Sequence, residues 1–375
     1  MARQPQVVEY AASVHPGLED VAGQEIVERL DGARVLDRQR GWIVWSYAGR
    51  AADLLALRTT EDVYVVLYRA ADLPAHRGGA IPLLTRMARN SRYWAPAWAA
   101  FQQTRRRPVK RVTFRVIAQM SGKHGFRRQE VRDAVVAGIQ SRQKQTQNWK
   151  LVADDAHLEV WAPVVGNWAM IALRLSDRRM RHRTYKQEHT PASLRPTIAA
   201  AMIYLSRPRS ADRFCDPMCG AGTILAERAQ AGPYRLLAGG DIDPGAIQAT
   251  RSNLRSVARL LDGSAWLRDD LRGGVVLHEW DARTLSLRAG SLDVVVSNLP
   301  FGEQVGSHQE NRELYERFFD QLARVLEQGG RAVLLTSERD LMHDLIRRHP
   351  TLRLERQILV GVLGQAARIY MLRRA

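Results

Sequence analysis

Two stretches of the chain carry residue types that could do chemistry together. The first is Asn298-Leu299-Pro300-Phe301-Gly302, which follows the β-branched run Ser291-Leu292-Asp293-Val294-Val295-Val296-Ser297. Such a run reads as a buried strand, and open α/β sheets place ligands at the carboxyl ends of their strands. Pro300 has no N–H and holds the residue before it extended, while Gly302 lets the chain turn away. A stiff, projecting turn results, offering one planar amide, exposed carbonyls and one aromatic face. Two of its oxygens could accept both hydrogens of an –NH2 group on a flat ring that lies against Phe301. A plain strand end with Phe301 in the core would look the same in isolation, so the context decides.

The second stretch is Asp216-Pro217-Met218-Cys219-Gly220-Ala221-Gly222-Thr223, between a predicted strand and a predicted helix. Gly220 and Gly222 let a ligand approach the backbone and the helix N-terminus. No lysine follows the last glycine, as a nucleoside-triphosphate loop requires, and Leu225 stands where a dinucleotide fingerprint has its third glycine. A carboxylate inside the turn, Asp216, would repel a pyrophosphate and attract an ammonium or sulfonium group. S-adenosylmethionine is therefore the expected cofactor, with Met218 beside it and Cys219 as a small packing residue.

Further acids follow at matching places. Gly239-Gly240-Asp241-Ile242-Asp243-Pro244 ends a second strand. There Asp241 is positioned for both ribose hydroxyls with Ile242 next to it, and Asp243 reads as a helix N-cap before Pro244. Glu279-Trp280-Asp281-Ala282 ends a third, where Asp281, followed by Ala282, could accept an adenine amino group. Three acids closing three successive strands, with Asn298 closing a fourth, form one expected site.

The elements that must position these residues alternate from residue 211 onward. Strands are expected near 212–215, 235–239, 275–279, 292–297, 331–336, 353–360 and 366–372, with helices near 223–231, 244–259, 309–327 and 339–348. That order predicts a doubly wound parallel sheet. Its last two strands are joined too closely for a crossover and must pair as an antiparallel hairpin. Ahead of it, an apolar helix from Ile198 to Leu205 follows Pro196.

The chain has 375 residues with 45% hydrophobic and 25% charged side chains, which predicts a globular protein of two or three domains. Its two cysteines, Cys215 and Cys219, exclude a disulfide framework, and no histidine cluster joins them, so no metal site is expected. No apolar run is long enough for a membrane span and the N-terminus lacks a signal-peptide pattern, so a cytoplasmic protein is expected.

The formal charge is +17, and it is uneven. Residues 1–190 hold 31 Lys and Arg against 18 Asp and Glu, and residues 73–150 alone hold 17 against 2. Excess positive charge in one region predicts an anionic partner, most often nucleic acid. The candidates for contact are Arg105, Arg106, Arg107, Lys123, Arg127 and Arg128. The aromatics scattered among them, Tyr93, Trp94, Trp98, Phe126 and Trp149, are expected mostly in the core. Residues 7–70 read as a small α+β unit with strands near 7–11, 41–45 and 63–68, helices near 16–30 and 51–57, and no catalytic constellation.

The stretch Phe114-Arg115-Val116, Ser121 through Arg128 and the helix containing Val136 and Gly138 resembles a THUMP domain, a module that grips the acceptor end of tRNA. Asp216 to Thr223 with Asn298 to Gly302 resembles the catalytic half of THUMP-containing RNA guanine-N2-methyltransferases. The Asn-Leu-Pro-Phe-Gly form is similar to the enzymes acting on guanosine 6 of tRNA; adenine-N6 and glutamine methyltransferases usually have Pro second and Tyr fourth. The resemblance implies an N-terminal ferredoxin-like domain at 1–72, a THUMP domain at 73–175, a linker at 176–190 and a Rossmann-like class I methyltransferase domain at 191–375. It also implies Asn298, Leu299, Pro300 and Phe301 as the catalytic loop, S-adenosylmethionine as methyl donor and a monomer acting on the tRNA acceptor stem and 3′ end. A ribosomal-RNA guanine-N2-methyltransferase and a non-catalytic RNA-binding protein remain open as alternatives.

Overall fold

The structure, a computed structural model, describes residues 7–105, 112–142, 149–190, 193–262, 273–301, 308–362 and 364–375. The chain divides into two compact units. One comprises the described residues of Met1–Val14 and Ala22–Met180, the other His15–Val21 and Arg181–Ala375.

In chain order the first unit contains β1 (Val8–Ser13), most of α1 (Glu19–Arg29), β2 (Arg34–Gln39), β3 (Trp42–Tyr47), β4 (Asp62–Ala70), α2 (Arg77–Asn90), α3 (Trp94–Gln103), β5 (Thr113–Ser121), α4 (Arg128–Gln140), β6 (Lys150–Leu151), β7 (Leu158–Val165) and β8 (Trp168–Arg174), and the division falls within α5 (Arg178–His182). Its strands form one sheet in the order β2-β3-β1-β4-β8-β7-β5-β6. Antiparallel pairing of β4 with β8 runs the sheet continuously across residue 72. Packing of α4 on α2 depends on Gly138: a Cβ there would lie 2.5 Å from the Thr85 carbonyl oxygen and 2.6 Å from Ala88 Cβ. Trp94 is buried with its indole N–H donating to the Ala88 carbonyl, and Trp98 stacks on Phe101, so these aromatics belong to the core as expected.

Several local expectations need correcting. The helix expected near 51–57 is present as a 3-10 helix over Ala51–Ala56. Strand β2 escapes a reading of the sequence because it carries charged residues and alternates between exposed and half-buried positions. Helix α2 escapes it because Pro82 lies in its interior, where proline is normally a stop signal, and α3 escapes it too, with Pro96 in its first turn, where proline is tolerated.

The second unit contains α6 (Pro196–Leu205), β9 (Arg213–Asp216), α7 (Thr223–Gln230), β10 (Leu236–Asp241), α8 (Pro244–Leu254), β11 (Val275–Glu279), β12 (Leu292–Asn298), α9 (His308–Val325), β13 (Leu326–Thr336), α10 (Arg339–Arg348), β14 (Leu352–Val362) and β15 (Gln365–Arg374). The sheet order is β11-β10-β9-β12-β13-β15-β14, parallel through β13 and closed by the antiparallel β14–β15 hairpin. Both faces are buried, which is why these strands read as near-continuous apolar runs. Val294 and Val296 join Phe214 and Leu237 in one core, while Val295 joins Cys215 and Ala238 in the other. Alternation along β12 thus carries Asn298 to the carboxyl edge beside Asp216 of β9, where a crevice opens between adjacent strands.

Candidate active site

A cavity of about 600 Å³ lies at that edge, lined entirely by residues of the second unit. Its wall brings together Asp216, Met218, Cys219, Gly220, Asp241, Ile242, Asp281, Ala282, Asn298, Leu299, Pro300 and Phe301. Nearly every cofactor and catalytic candidate from the sequence therefore meets in one space of ligand size. Gly222 sits just behind the wall. It caps α7 at φ 72°, and a Cβ there would lie 2.7 Å from Thr250 Cγ2. Gly302, the last residue of the expected loop, lies outside the described residues.

The Gly-rich turn is tied down by bonds from three later elements. Asp241 accepts the Gly220 N–H at 2.8 Å, and the Gly240 carbonyl accepts the Cys219 N–H at 2.8 Å. Thr250 donates its hydroxyl to the Gly220 carbonyl at 2.6 Å, and Asn253 donates its amide to the Ala221 carbonyl at 2.9 Å. Trp280 donates its indole N–H to the Pro217 carbonyl at 3.1 Å. These donors hold the carbonyls of Pro217, Gly220 and Ala221 and fix the shape of the turn.

Asp216 is buried, accepting the Ser297 hydroxyl at 2.8 Å and, more weakly, the Met218 N–H. Burial pushes its pKa up to about 7; the two hydrogen bonds pull it down and the Asp241 charge adds to the rise. A buried carboxylate with no cation beside it costs stability once ionised, so the site favours a cationic ligand group that would hold it charged. Asp243 caps α8 through the Gly245 N–H, as expected. Ile242, at 67% exposed, leaves an apolar surface at the cavity rim available to a flat ring. Asp281 lines the wall, but Arg283 grips both its oxygens at 2.7–3.1 Å, holding its pKa below the usual carboxylate range. Part of the acceptor capacity expected for adenine is thus already engaged.

Asn298 ends β12 with a buried side-chain oxygen that has no hydrogen-bond partner among the described residues. Orphaned buried acceptors are rare and costly in folded proteins. Leu299 is fully buried and held in register by its N–H on the Leu335 carbonyl; Phe301 is half-buried against the core. The thiols of Cys215 and Cys219 are pushed well above their ordinary range by burial, which leaves both as neutral packing groups. Among the described residues no group of acids, histidines and cysteines could hold a metal ion.

Sequence reasoning missed Trp280, Thr250, Asn253, Ser193 and Asn311. Ser193 and Asn311 line the cavity, and the Ser193 hydroxyl also has no partner among the described residues. Arg105 needs the opposite correction. Its guanidinium donates to the Leu175 carbonyl and lies over the Phe101 ring at 4.1 Å, so it serves the first unit's packing and leaves the RNA-facing set. Arg106 and Arg107 fall outside the described residues. Lys123, Arg127 and Arg128 are exposed around a loop pinned by His124 on the Gly166 carbonyl and by the Gly125 N–H on the Ala75 carbonyl.

The second unit's strand order, its Gly-rich turn and its row of strand-end acids define a class I methyltransferase domain. Residues 183–364 match the family model UPF0020, an RMKL-like methyltransferase domain. Over 270 residues the chain is 30% identical to the Mus musculus protein named tRNA (guanine(6)-N(2))-methyltransferase THUMP3, covering 70% of this chain and 51% of that one. It therefore spans about half the length of the mammalian relatives it matches. Over 328 residues it is 29% identical to the tRNA (guanine(6)-N2)-methyltransferase of Thermus thermophilus, covering 87% and 88% of the two chains. The crystal structure of TrmN from Thermus thermophilus matches the fold with a TM-score of 0.76 at 24% identity, covering 99% of this chain and 100% of that one.

Proposed function

We propose that the chain transfers a methyl group from S-adenosylmethionine to the exocyclic N2 of a guanosine in tRNA, at position 6 of the acceptor stem. The observation that carries this reading is the Asn298 side-chain oxygen, without a hydrogen-bond partner among the described residues and buried in the same cavity wall as Asp216 and Asp241. The relatives' names point to the same chemistry. When bound, S-adenosylmethionine supplies an electron-poor methyl group on a sulfonium. Asp216 would hold the charge of its cationic end, Asp241 its ribose hydroxyls, and Ile242, Asp281 and Ala282 its base.

Guanine N2 is a weak nucleophile because its lone pair is delocalised into the ring. Asn298 Oδ1 and the Leu299 carbonyl accept its two hydrogens and stabilise the positive charge that develops on the nitrogen. Phe301 fixes the plane of the base, which orients the attack. No general base is required before attack. In a stem the target must first be unpaired and swung out, at a cost of a few kcal/mol that phosphate contacts elsewhere can offset.

Those contacts are assigned to residues 73–175, acting as a THUMP module on the acceptor stem and 3′ end, in a cytoplasmic monomer. Lys123, Arg127 and Arg128 are among its exposed cations. Replacing all three by alanine should weaken tRNA binding and reduce the slope of log K against log[salt] by about one for each phosphate no longer neutralised. Filter binding across a salt series reads this directly; an unchanged slope removes them from the interface.

Cofactor affinity should depend on pH through Asp216. Its carboxyl is protonated below about pH 7 in the free protein and must ionise to meet a cation. Binding therefore expels a proton, and affinity rises with pH, by roughly eightfold between about pH 6 and 7.5 for a single group. Titration calorimetry in buffers of different ionisation enthalpy would detect the released proton. Asp216→Asn should bind more weakly and with a flat profile; a wild-type profile flat over the same window would exclude this role.

The function itself is tested by giving the protein labelled S-adenosylmethionine with total tRNA and ribosomal RNA, then mapping the labelled nucleotide. N2-methylguanosine in tRNA is expected. Label in ribosomal RNA alone would redirect the substrate, and failure to bind the cofactor would leave a non-catalytic RNA-binding protein.

A further inference from the structure

Behind the catalytic loop runs a chain of hydrogen bonds whose direction is fixed by chemistry. Tyr315 of α9 donates its hydroxyl to the Pro300 carbonyl at 2.7 Å. The same oxygen lies 2.7 Å from Thr336 Oγ1, at the end of β13. Thr336 Oγ1 in turn accepts the Glu338 backbone N–H at 3.0 Å. A carbonyl can only accept, so the single Tyr315 proton is committed to Pro300 and Thr336 must donate to Tyr315. The order is therefore Glu338 N–H to Thr336 O–H to Tyr315 O–H to Pro300 C=O. Tyr315 and Thr336 are both fully buried, and burial pushes the phenol pKa up, so the tyrosine stays a neutral donor. In a chain so ordered each bond polarises the next.

The consequence concerns which oxygens face the substrate. Beyond the backbone carbonyl of Asn298, which lies within β12, the Asn298-Leu299-Pro300 turn carries three acceptors, the Asn298 side-chain oxygen and the carbonyls of Leu299 and Pro300, and an amine has only two hydrogens to give. Tyr315 takes the Pro300 carbonyl, while the Leu299 N–H is fixed on Leu335. We infer that Tyr315 and Thr336 are positioning residues for methyl transfer: they hold the Pro300 carbonyl back and so leave the Asn298 side-chain oxygen and the Leu299 carbonyl as the pair that receives the amine. This assignment rests on the catalytic reading of Asn298 given above. Neither residue touches the substrate. Their effect should therefore appear in turnover and not in binding.

The test uses the full chain, labelled S-adenosylmethionine and a pool of unmodified tRNA transcripts. Tyr315→Phe keeps the ring and removes the donor; its kcat should fall by about 10- to 100-fold, the scale of a displaced reacting group. Its KM for tRNA and its cofactor Kd should stay within about twofold of the wild type, since the loop's binding partners are untouched. Thr336→Val should fall in the same direction and Thr336→Ser, which keeps the hydroxyl, should retain the rate. The double variant Tyr315→Phe with Thr336→Val should be no slower than Tyr315→Phe alone, because the two act as one unit. A Tyr315→Phe chain at full kcat overturns the inference, as does a loss of rate matched by an equal loss of cofactor-binding sites. Asn298→Ala run alongside separates the two readings: if it is inactive while Tyr315→Phe is not, the relay alone fails, and if it turns over normally the catalytic loop itself is misassigned.

Discussion

Asn298→Ala should reduce kcat by about 100- to 1,000-fold, the scale seen when a preorganised hydrogen-bonding group is removed from a transition state. Affinity for tRNA and for the cofactor should change little. The reason is geometric: the Asn298 side chain ends β12 in the cavity wall, and its oxygen is buried with no partner among the described residues. Among the described residues that oxygen makes no bond that stabilises the fold, so the alanine variant should unfold within a few degrees of the wild type. Asn298→Asp would keep an oxygen but lose the amide's shape, and should recover only a small part of the rate. Single-turnover methyl transfer with enzyme in excess, beside filter binding and a thermal melt, measures the three quantities separately. An alanine variant that lost affinity in proportion to rate would make Asn298 a binding residue.

Gly240→Ala is expected to have the second-largest effect, and its cause lies 40 residues away. A Cβ at Gly240 would lie 1.7 Å from Trp280 Nε1 and 1.9 Å from Cε2, well inside van der Waals contact. The indole also stacks on His278, with ring centroids 5.1 Å apart, so moving it disturbs that contact too. Displacing it also breaks the bond from Nε1 to the Pro217 carbonyl, next to Asp216. Overpacking costs about 1–3 kcal/mol and an abandoned buried acceptor about 1–3 kcal/mol more. Expressed in the turn, such a loss corresponds to a cofactor Kd raised by roughly 30-fold or more. Adding Trp280→Phe should recover part of the affinity, since a smaller ring leaves room for the methyl group. Cofactor binding within threefold of wild type in Gly240→Ala would show that the indole does not shape the turn.

Much of the second unit was legible because its signals are local. The apolar strand ending in Asn298, the Gly-rich turn and the acids after β10 and β11 each occupy a few consecutive residues, and one fold rule places all of them at one edge. Trp280 and Tyr315 were not legible for the converse reason. A tryptophan after a strand and a tyrosine within a helix read as ordinary core; only the fold brings them to Pro217 and Pro300, 63 and 15 residues away. Charge marks a region of the first unit without saying which of its cations are already engaged within the fold. Arg105 shows why: a guanidinium in a basic run can equally donate to a backbone carbonyl and lie over a neighbouring ring. Proline misled as well, since Pro82 sits inside a helix that packing sustains.

One substitution in the substrate addresses the central reading most directly. Once the labelled nucleotide is mapped, the same tRNA should be made with inosine in place of that guanosine. Inosine keeps the ring, the stacking on Phe301 and the phosphates, and lacks only the amino group that Asn298 and Leu299 are taken to hold. The inosine tRNA should bind as tightly as the guanosine form and accept no methyl group at that position. Transfer to inosine at a comparable rate would place the acceptor atom elsewhere on the base and contradict the account.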